Sequence, residues 1–358
     1  MSLFKLKGNI NSTTKIALTI LGFGLLLLIW FILTYGENPI VVNAILPKPW
    51  KVLLSFGEMY RENQLMTNIT KSIGLNLAGY IEAVLIAIPF GFLIGLFPFF
   101  RGIFQRQVDA LRFVPLTAVT GLFIAWFGIN TGMKVHFLAF GIFIYLLPIV
   151  VQRIDEIDDV YFKTVYTLGA NTWQTIKTVY FPAVIARLSD DIRVLTAISW
   201  TYIIIAESLG NQGGIGTLIW RAGQRQGRYD KVFALLIIVI LIGFLQDRLF
   251  VYLDKEFFPH KYVKDKHGAK ADSGSTTNVL MSFIWNTLSW AAIGGYFILF
   301  LNEFLHFLDN SVLTDSFGGT VWVIHLIVFT IFAYKLRKLI IVRKNKQIEK
   351  QLASTNSK

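Results

Sequence analysis

Apolar runs as long as a membrane is thick recur along nearly the whole of this chain. A helix of roughly 18 or more apolar residues crosses about 30 Å of hydrocarbon. Candidate spans fall at 16–35, 73–97, 114–129, 133–151, 192–208, 232–250, 280–302 and 320–341. The run at 114–129 is the shortest and begins at Pro115. Alternating ten-residue segments, the mark of a transmembrane barrel, are absent from the sequence. Charged residues make up 16%, against about 25% in soluble domains. The sequence therefore predicts an all-α polytopic membrane protein.

The net charge of +12 would suit nucleic acid if it were gathered on one surface. It is instead distributed by loop. An even number of spans places both termini on one side. That side then receives 25 of the 34 Lys and Arg residues. Cationic loops stay in the cytoplasm, so the termini and the loop at 155–182 are expected there. The opposite loop at 303–319 carries Glu303, Asp309 and Asp315 but no Lys or Arg. The loop at 209–231 runs against the trend with Arg221, Arg225, Arg228 and Lys231. These either line an anion entrance or are ordinary solvated charges. No cysteine is present, which excludes disulfides and thiolate chemistry. The first run follows Lys5, Lys7 and Lys15 and has no small-residue cleavage site, so it reads as a retained span.

Composition divides the chain further. Residues 1–45 read as an N-terminal arm and first span, and 46–259 as a core. Residues 260–279 form a linker of charged and small residues without apolar periodicity. Residues 280–342 hold two further spans, and 343–358 a basic tail suited to anionic lipid.

The stretch 155–182, DEIDDVYFKTVYTLGANTWQTIKTVYFP, is a polar island between apolar runs. Asp155, Glu156, Asp158 and Asp159 suit the positive end of a helix dipole. Ile157, Val160, Tyr161, Val165 and Leu168 recur at helical spacing as one apolar face. Gly169 stops that helix where a left-handed backbone is needed. Asn171 can cap a second helix, with Gln174 as its capping-box partner. Trp173, Ile176, Val179 and Tyr180 share a stripe of this helix, and Pro182 is expected to end it. Such stripes either lie on the membrane surface or receive a partner that docks reversibly.

The stretch Thr167–Val184, TLGANTWQTIKTVYFPAV, resembles the conserved cytoplasmic loop of permease subunits of ATP-binding-cassette importers. It is most similar to the nitrate, sulfonate and taurine branch. That loop runs Glu-Ala-Ala, three residues, Gly, nine residues, Ile-x-Leu-Pro. Gly169 matches the glycine and Val179-Tyr180-Phe181-Pro182 the end. Leu46-Pro47, Ile88-Pro89-Phe90-Gly91, Arg112-Phe113-Val114-Pro115, Trp126-Phe127-Gly128-Ile129, Ala206-Glu207, Gly214-Ile215-Gly216-Thr217 and Asp247-Arg248 extend the likeness over about 46–259. Lys163-Thr164-Val165 stands where Glu-Ala-Ala would, and Asp190-Asp191 also departs from the pattern.

The resemblance implies a six-span ABC importer permease core plus two extra C-terminal spans, in a bacterial inner membrane. It also implies ABC ATPase subunits that hold ATP and Mg, a second permease copy and an external solute-binding protein. No phosphate-binding loop occurs here, so this chain should bind no cofactor of its own. Gly169, Asn171, Trp173, Ile176, Tyr180 and Pro182 would then couple to the ATPase.

Ionisable groups within spans point to function, which singles out Glu82 and Glu207. Each either lines the translocation path or is paired within the bundle. Gly213, Gly214 and Gly216 permit irregular backbone that could face a pore. They would equally serve a plain external hairpin. His136, His260, His267, His306 and His325 lack metal spacing, and Asp190-Asp191 reads as a solvated helix start. Trp30, Trp220 and Trp322 suit interface anchors. A motor-independent secondary transporter or channel would need internal repeats or paired broken helices, which are not evident. A non-coupling membrane scaffold is the remaining alternative.

Overall fold

The computed structural model describes residues 10–210, 212–258, 261, 276–307 and 311–356, which form helices joined by turns and loops, with no strand among them. The elements run α1 (Ser12–Thr34), α2 (Pro49–Glu62), α3 (Leu65–Leu96), α4 (Pro98–Leu111), α5 (Leu116–Phe127) and α6 (Thr131–Asp155). Then come α7 (Asp159–Thr167), α8 (Thr172–Thr175), α9 (Phe181–Ser208), α10 (Ile215–Trp220) and α11 (Tyr229–Phe257). The C-terminal part holds α12 (Thr276–Leu305), α13 (Val312–Phe317) and α14 (Val321–Asn356). Residues 262–275, most of the expected linker, lie outside the described residues, as do His260, His267 and the first nine residues.

Packing of α3 against α6 forms the centre of the bundle, and the sequence shows why. Gly79, Ala83, Ala87, Gly91 and Gly95 recur every fourth residue along α3, so they stack on one face. A β-carbon on Gly79 would stand 2.7 Å from Leu138, and one on Gly95 would stand 2.6 Å from Ile154. One on Gly91 would collide with Val150. Ala83 and Ala87 are fully buried. In lipid no hydrophobic drive pulls helices together, so close backbone approach through small residues does the work. Leu146, Leu147 and Val150 of α6 fill the opposite side of this seam, and α9 adds Val184, Leu188 and Leu195 to the same cluster.

Among the described residues six helices are long and apolar enough to cross a membrane: α1, α3, α6, α11, α12 and the α13–α14 stretch. Two of the eight expected spans take a different form. The run 114–129 is only the second half of a broken element, with α4 and α5 meeting at 108°. Pro115, the residue before α5, stands at the bend and keeps the helix from continuing through Val114. The run 192–208 is the end of the 28-residue α9. Its charges keep α9 below the apolar threshold, yet they are compensated within the bundle. Arg193 Nε lies 2.5 Å from Asp247 of α11. Arg153 of α6 grips Asp191 through two bonds of 2.7 and 2.8 Å. Asp191 is thus a paired mid-helix group rather than a solvated helix start, and Asp190 pairs with Lys261.

The C-terminal pair packs on the core at both ends. Residues 312–320 sit against α3, where Thr320 and Phe317 occupy the space a side chain at Gly74 would need. Thr70 Oγ1 donates to Ser316 O at 2.7 Å. At the other end Tyr334 donates to the carbonyl of Glu256 at 3.0 Å, and Lys338 pairs with the Glu256 carboxylate at 2.5 Å. Within the pair, Tyr296 bonds His325 at 2.5 Å.

Candidate functional site

The island at 155–182 is an ordered elbow. Asp158 caps α7 by accepting from Val160 N at 3.0 Å. At its far end Gly169 N donates to Tyr166 O and Ala170 N to Val165 O, with Gly169 at φ +80°. These are the two bonds of a Schellman stop. Asn171 and Gln174 then form a reciprocal capping box at 2.8 and 2.9 Å. Two independent local devices therefore set the turn between α7 and α8.

Pro182 does not end the second helix. α8 lasts four residues, passes into a wide π turn at Ile176–Tyr180, and continues as α9. Phe181 N reaches back five residues to Ile176 O. The widened turn gives room to a proline ring that would crowd the carbonyl four residues back in a regular helix. The elbow and α9 thus share one continuous backbone.

The apolar residues of the elbow divide into two sets, where a single face was expected on α7. Ile157, Val165, Ile176, Val179 and Tyr180 are half-buried toward the bundle. Val160, Tyr161, Leu168 and Trp173 are 61%, 63%, 81% and 70% exposed. Gly169, Asn171 and Pro182 are themselves exposed.

A charge network braces the elbow. Arg153 Nη1 contacts both oxygens of Glu156 at 2.8 and 2.7 Å while its other nitrogens hold Asp191. Arg187 adds a contact to Glu156 at 3.3 Å. The Arg153 guanidinium holds the Glu156 carboxyl below the usual carboxylate range. A depressed pKa contributes stability that is present above the ordinary value of 4.5 and fades as pH falls through the lowered one. Amide exchange over 156–182, corrected for intrinsic rate, is therefore expected to rise as pH drops below about 4.5. Arg153→Met should remove that step. A profile identical in both proteins would exclude the brace.

Glu82 and Glu207 occupy different settings. Glu82 lies 2.8 Å from His136 Nδ1, whose ring packs on Phe127 at 4.8 Å. Glu207 is 1% exposed. Its oxygens accept from Ser72 at 2.7 and 2.9 Å and from Gly216 N at 2.8 Å. Ser72 accepts in turn from Ile215 N at 2.8 Å, and Asn68 from Gly214 N at 2.6 Å. Gly213 and Gly214 have φ of +89° and +105°, and the Glu207 carboxylate fills the space beside Gly214. Glu207 thus anchors the glycine turn, so that Gly213, Gly214 and Gly216 form one unit with it. Sequence reading missed Ser72 and Asn68, because nothing local marks them as partners of a turn so distant in the chain.

Two of the four basic groups of the loop at 209–231 are neutralised, chiefly by Glu58 of α2. Arg228 pairs with Glu58 at 2.7 Å and with Asp230 at 2.8 Å, and Lys231 pairs with Glu58 at 2.7 Å. Hydrogen bonds from Arg228 and Lys231 hold the Glu58 carboxyl below its ordinary range. Among the described residues no group of three His, Asp or Glu is placed to hold a metal.

Long apolar helices, with a braced elbow built outside them, define a multi-pass helical membrane protein. Residues 87–258 match the binding-protein-dependent transport system inner membrane component family. The chain is 28% identical over 228 residues to a permease assigned to aliphatic sulfonate transport in Bacillus subtilis, covering 64% of this chain and 82% of that one. It is 24% identical over 246 residues to the taurine transport system permease protein of Escherichia coli, covering 67% and 88%. Among solved structures it is similar to a bacterial ABC transporter involved in the import of alginate. That likeness has a TM-score of 0.46 at 18% identity, covering 68% of this chain and 98% of that one. Residues 87–258 thus carry the signature of that family, and the relatives they resemble are named as permeases of ABC transporters.

Proposed function

We propose that this chain is the membrane subunit of an ATP-driven importer for a small anionic or zwitterionic solute. An external binding protein delivers the solute, and separate ATPase chains, holding ATP and Mg, engage the elbow at 155–182. A second permease copy completes the pathway. The core is 46–259, with 280–342 as an added pair of spans. Both termini and the elbow face the cytoplasm.

The exposure of Val160, Tyr161, Leu168 and Trp173 on a turn fixed by both a Schellman stop and a capping box carries this reading. Rigid, exposed aromatic groups are what a reversible docking patch requires, since little entropy is lost when they are covered. Gly169, Asn171 and Pro182 fix the backbone there, while Ile176 and Tyr180 tie the patch to the bundle. The relatives named for sulfonates and taurine support the solute class. Glu82 and the unit of Glu207 with Gly213, Gly214 and Gly216 border the path as positioning groups, Glu207 by holding the turn.

The sequence contains no cysteine, so single-cysteine labelling tests the orientation cleanly. Thr164→Cys is expected to react with an impermeant maleimide only from the cytoplasmic side, and Gln226→Cys only from outside. The reverse pattern would remove the docking reading.

A further inference from the structure

A cavity of about 160 Å³ lies between the core and the C-terminal pair. It is lined by Lys71 of α3, Lys134 of α6, Thr131, Glu207 and the Gly318–Gly319 turn ahead of α14. Lys71, Lys134 and Glu207 all lie near the ends of their helices remote from the elbow. Lys134 is only 3% exposed, yet among the described residues its ammonium makes no hydrogen bond and meets no carboxylate within 4.0 Å. Lys71 is half-buried and likewise makes no such contact, and its Nζ would stand 3.7 Å from a β-carbon at Gly213. The Glu207 carboxylate is the one acidic group of the lining. It is turned to Ser72 and Gly216.

A buried ammonium whose nearest carboxylate, Glu207, stands beyond direct pairing distance and is bonded elsewhere is costly. Two lysines and one carboxylate leave the lining with an excess of one positive charge. A space of about 160 Å³ is ample for an inorganic ion with its waters. The lysines come from the core and one wall from the turn at 318–319. An ion held there would therefore bridge the core and the added pair.

We infer that this cavity is a binding site for a small monovalent anion, a halide or an oxyanion of nitrate size, which locks the C-terminal pair onto the core. The site is separate from the elbow, and its Glu207 and Gly213 belong to the turn proposed to border the path.

The full chain, purified in detergent, is titrated with sodium bromide replacing sodium gluconate at constant ionic strength, and thermal unfolding is followed. A saturable rise in Tm is expected. Lys134→Met should abolish the rise, and Lys71→Gln should raise the half-saturating concentration at least about tenfold, a loss of about 1.4 kcal/mol. Lys51→Gln, on the external amphipathic helix α2, should leave the curve unchanged. A non-saturating response, or a Lys71→Gln curve identical to that of the parent, overturns the site. Lys71 is half-buried, so that variant decides the matter even if Lys134→Met does not fold. Bromide-soaked crystals should show an anomalous peak beside Lys134 Nζ, and a cavity without one would equally reject the site.

Discussion

Trp173→Asp is expected to insert and purify like the parent protein, yet to lose ATPase binding by at least about thirtyfold. Trp173 is 70% exposed, so the substitution removes little packing. Exposed changes of this kind usually stay within about 0.5 kcal/mol of neutral. Truncating a buried aromatic at the centre of a reversible interface costs about 2 kcal/mol or more, and a carboxylate in an apolar patch adds desolvation. The capping box of Asn171 and Gln174 should survive, since it uses no atom of the Trp173 side chain. Co-purification with the ATPase and ATP-dependent uptake in proteoliposomes measure the effect. Leu168→Asp, on the other side of Gly169, should behave alike. Normal uptake by both variants would show that the elbow is not where the motor engages.

Gly214→Val should have the largest effect on folding. Gly214 has φ +105°, a region L-residues occupy only with strain of order 1–3 kcal/mol. Its β-carbon would also overlap the Glu207 carboxylate, which already holds Ser72 and the Gly216 amide. Displacing a buried carboxylate from its donors costs a further 1–3 kcal/mol or so. Together these approach the whole stability of many domains, so the variant should accumulate poorly or melt far below the parent. Gly128→Ala isolates the first contribution, because φ there is +72° with nothing within 4 Å of a new β-carbon. It should lower stability by only about 1–2 kcal/mol. Equal melting temperatures for the two variants would mean that Glu207 does not anchor the turn.

Much of this architecture could be read from residue order alone, and the limits have physical causes. Apolar length located α1, α3, α6 and α11, since nothing but burial in lipid tolerates such runs. The stop at Gly169 and the cap at Asn171 follow from local backbone chemistry, so a single residue type sufficed to place them. The extent of α9 was hidden because Arg187, Asp190, Asp191 and Arg193 interrupt its apolar run. Their partners Arg153 and Asp247 lie in other helices, 38 and 54 residues away. Pro182 misled for a related reason: a proline reads as a stop unless the preceding turn widens. Glu207 is 135 residues from Ser72, and no local pattern announces that pairing. The small-residue ridge of α3 was legible in principle, as Gly or Ala at every fourth position from 79 to 95.

The added pair touches α3 near Gly74 through Thr320 and Phe317, and α11 near Glu256 through Tyr334 and Lys338. These anchors sit near opposite ends of α14's apolar length, on two different core helices. The pair is therefore a diagonal strut across the bundle. Any sliding of α3 past α11 would stretch the strut or detach one foot, so the two helices are tied to each other's position by a part that neither of them supplies.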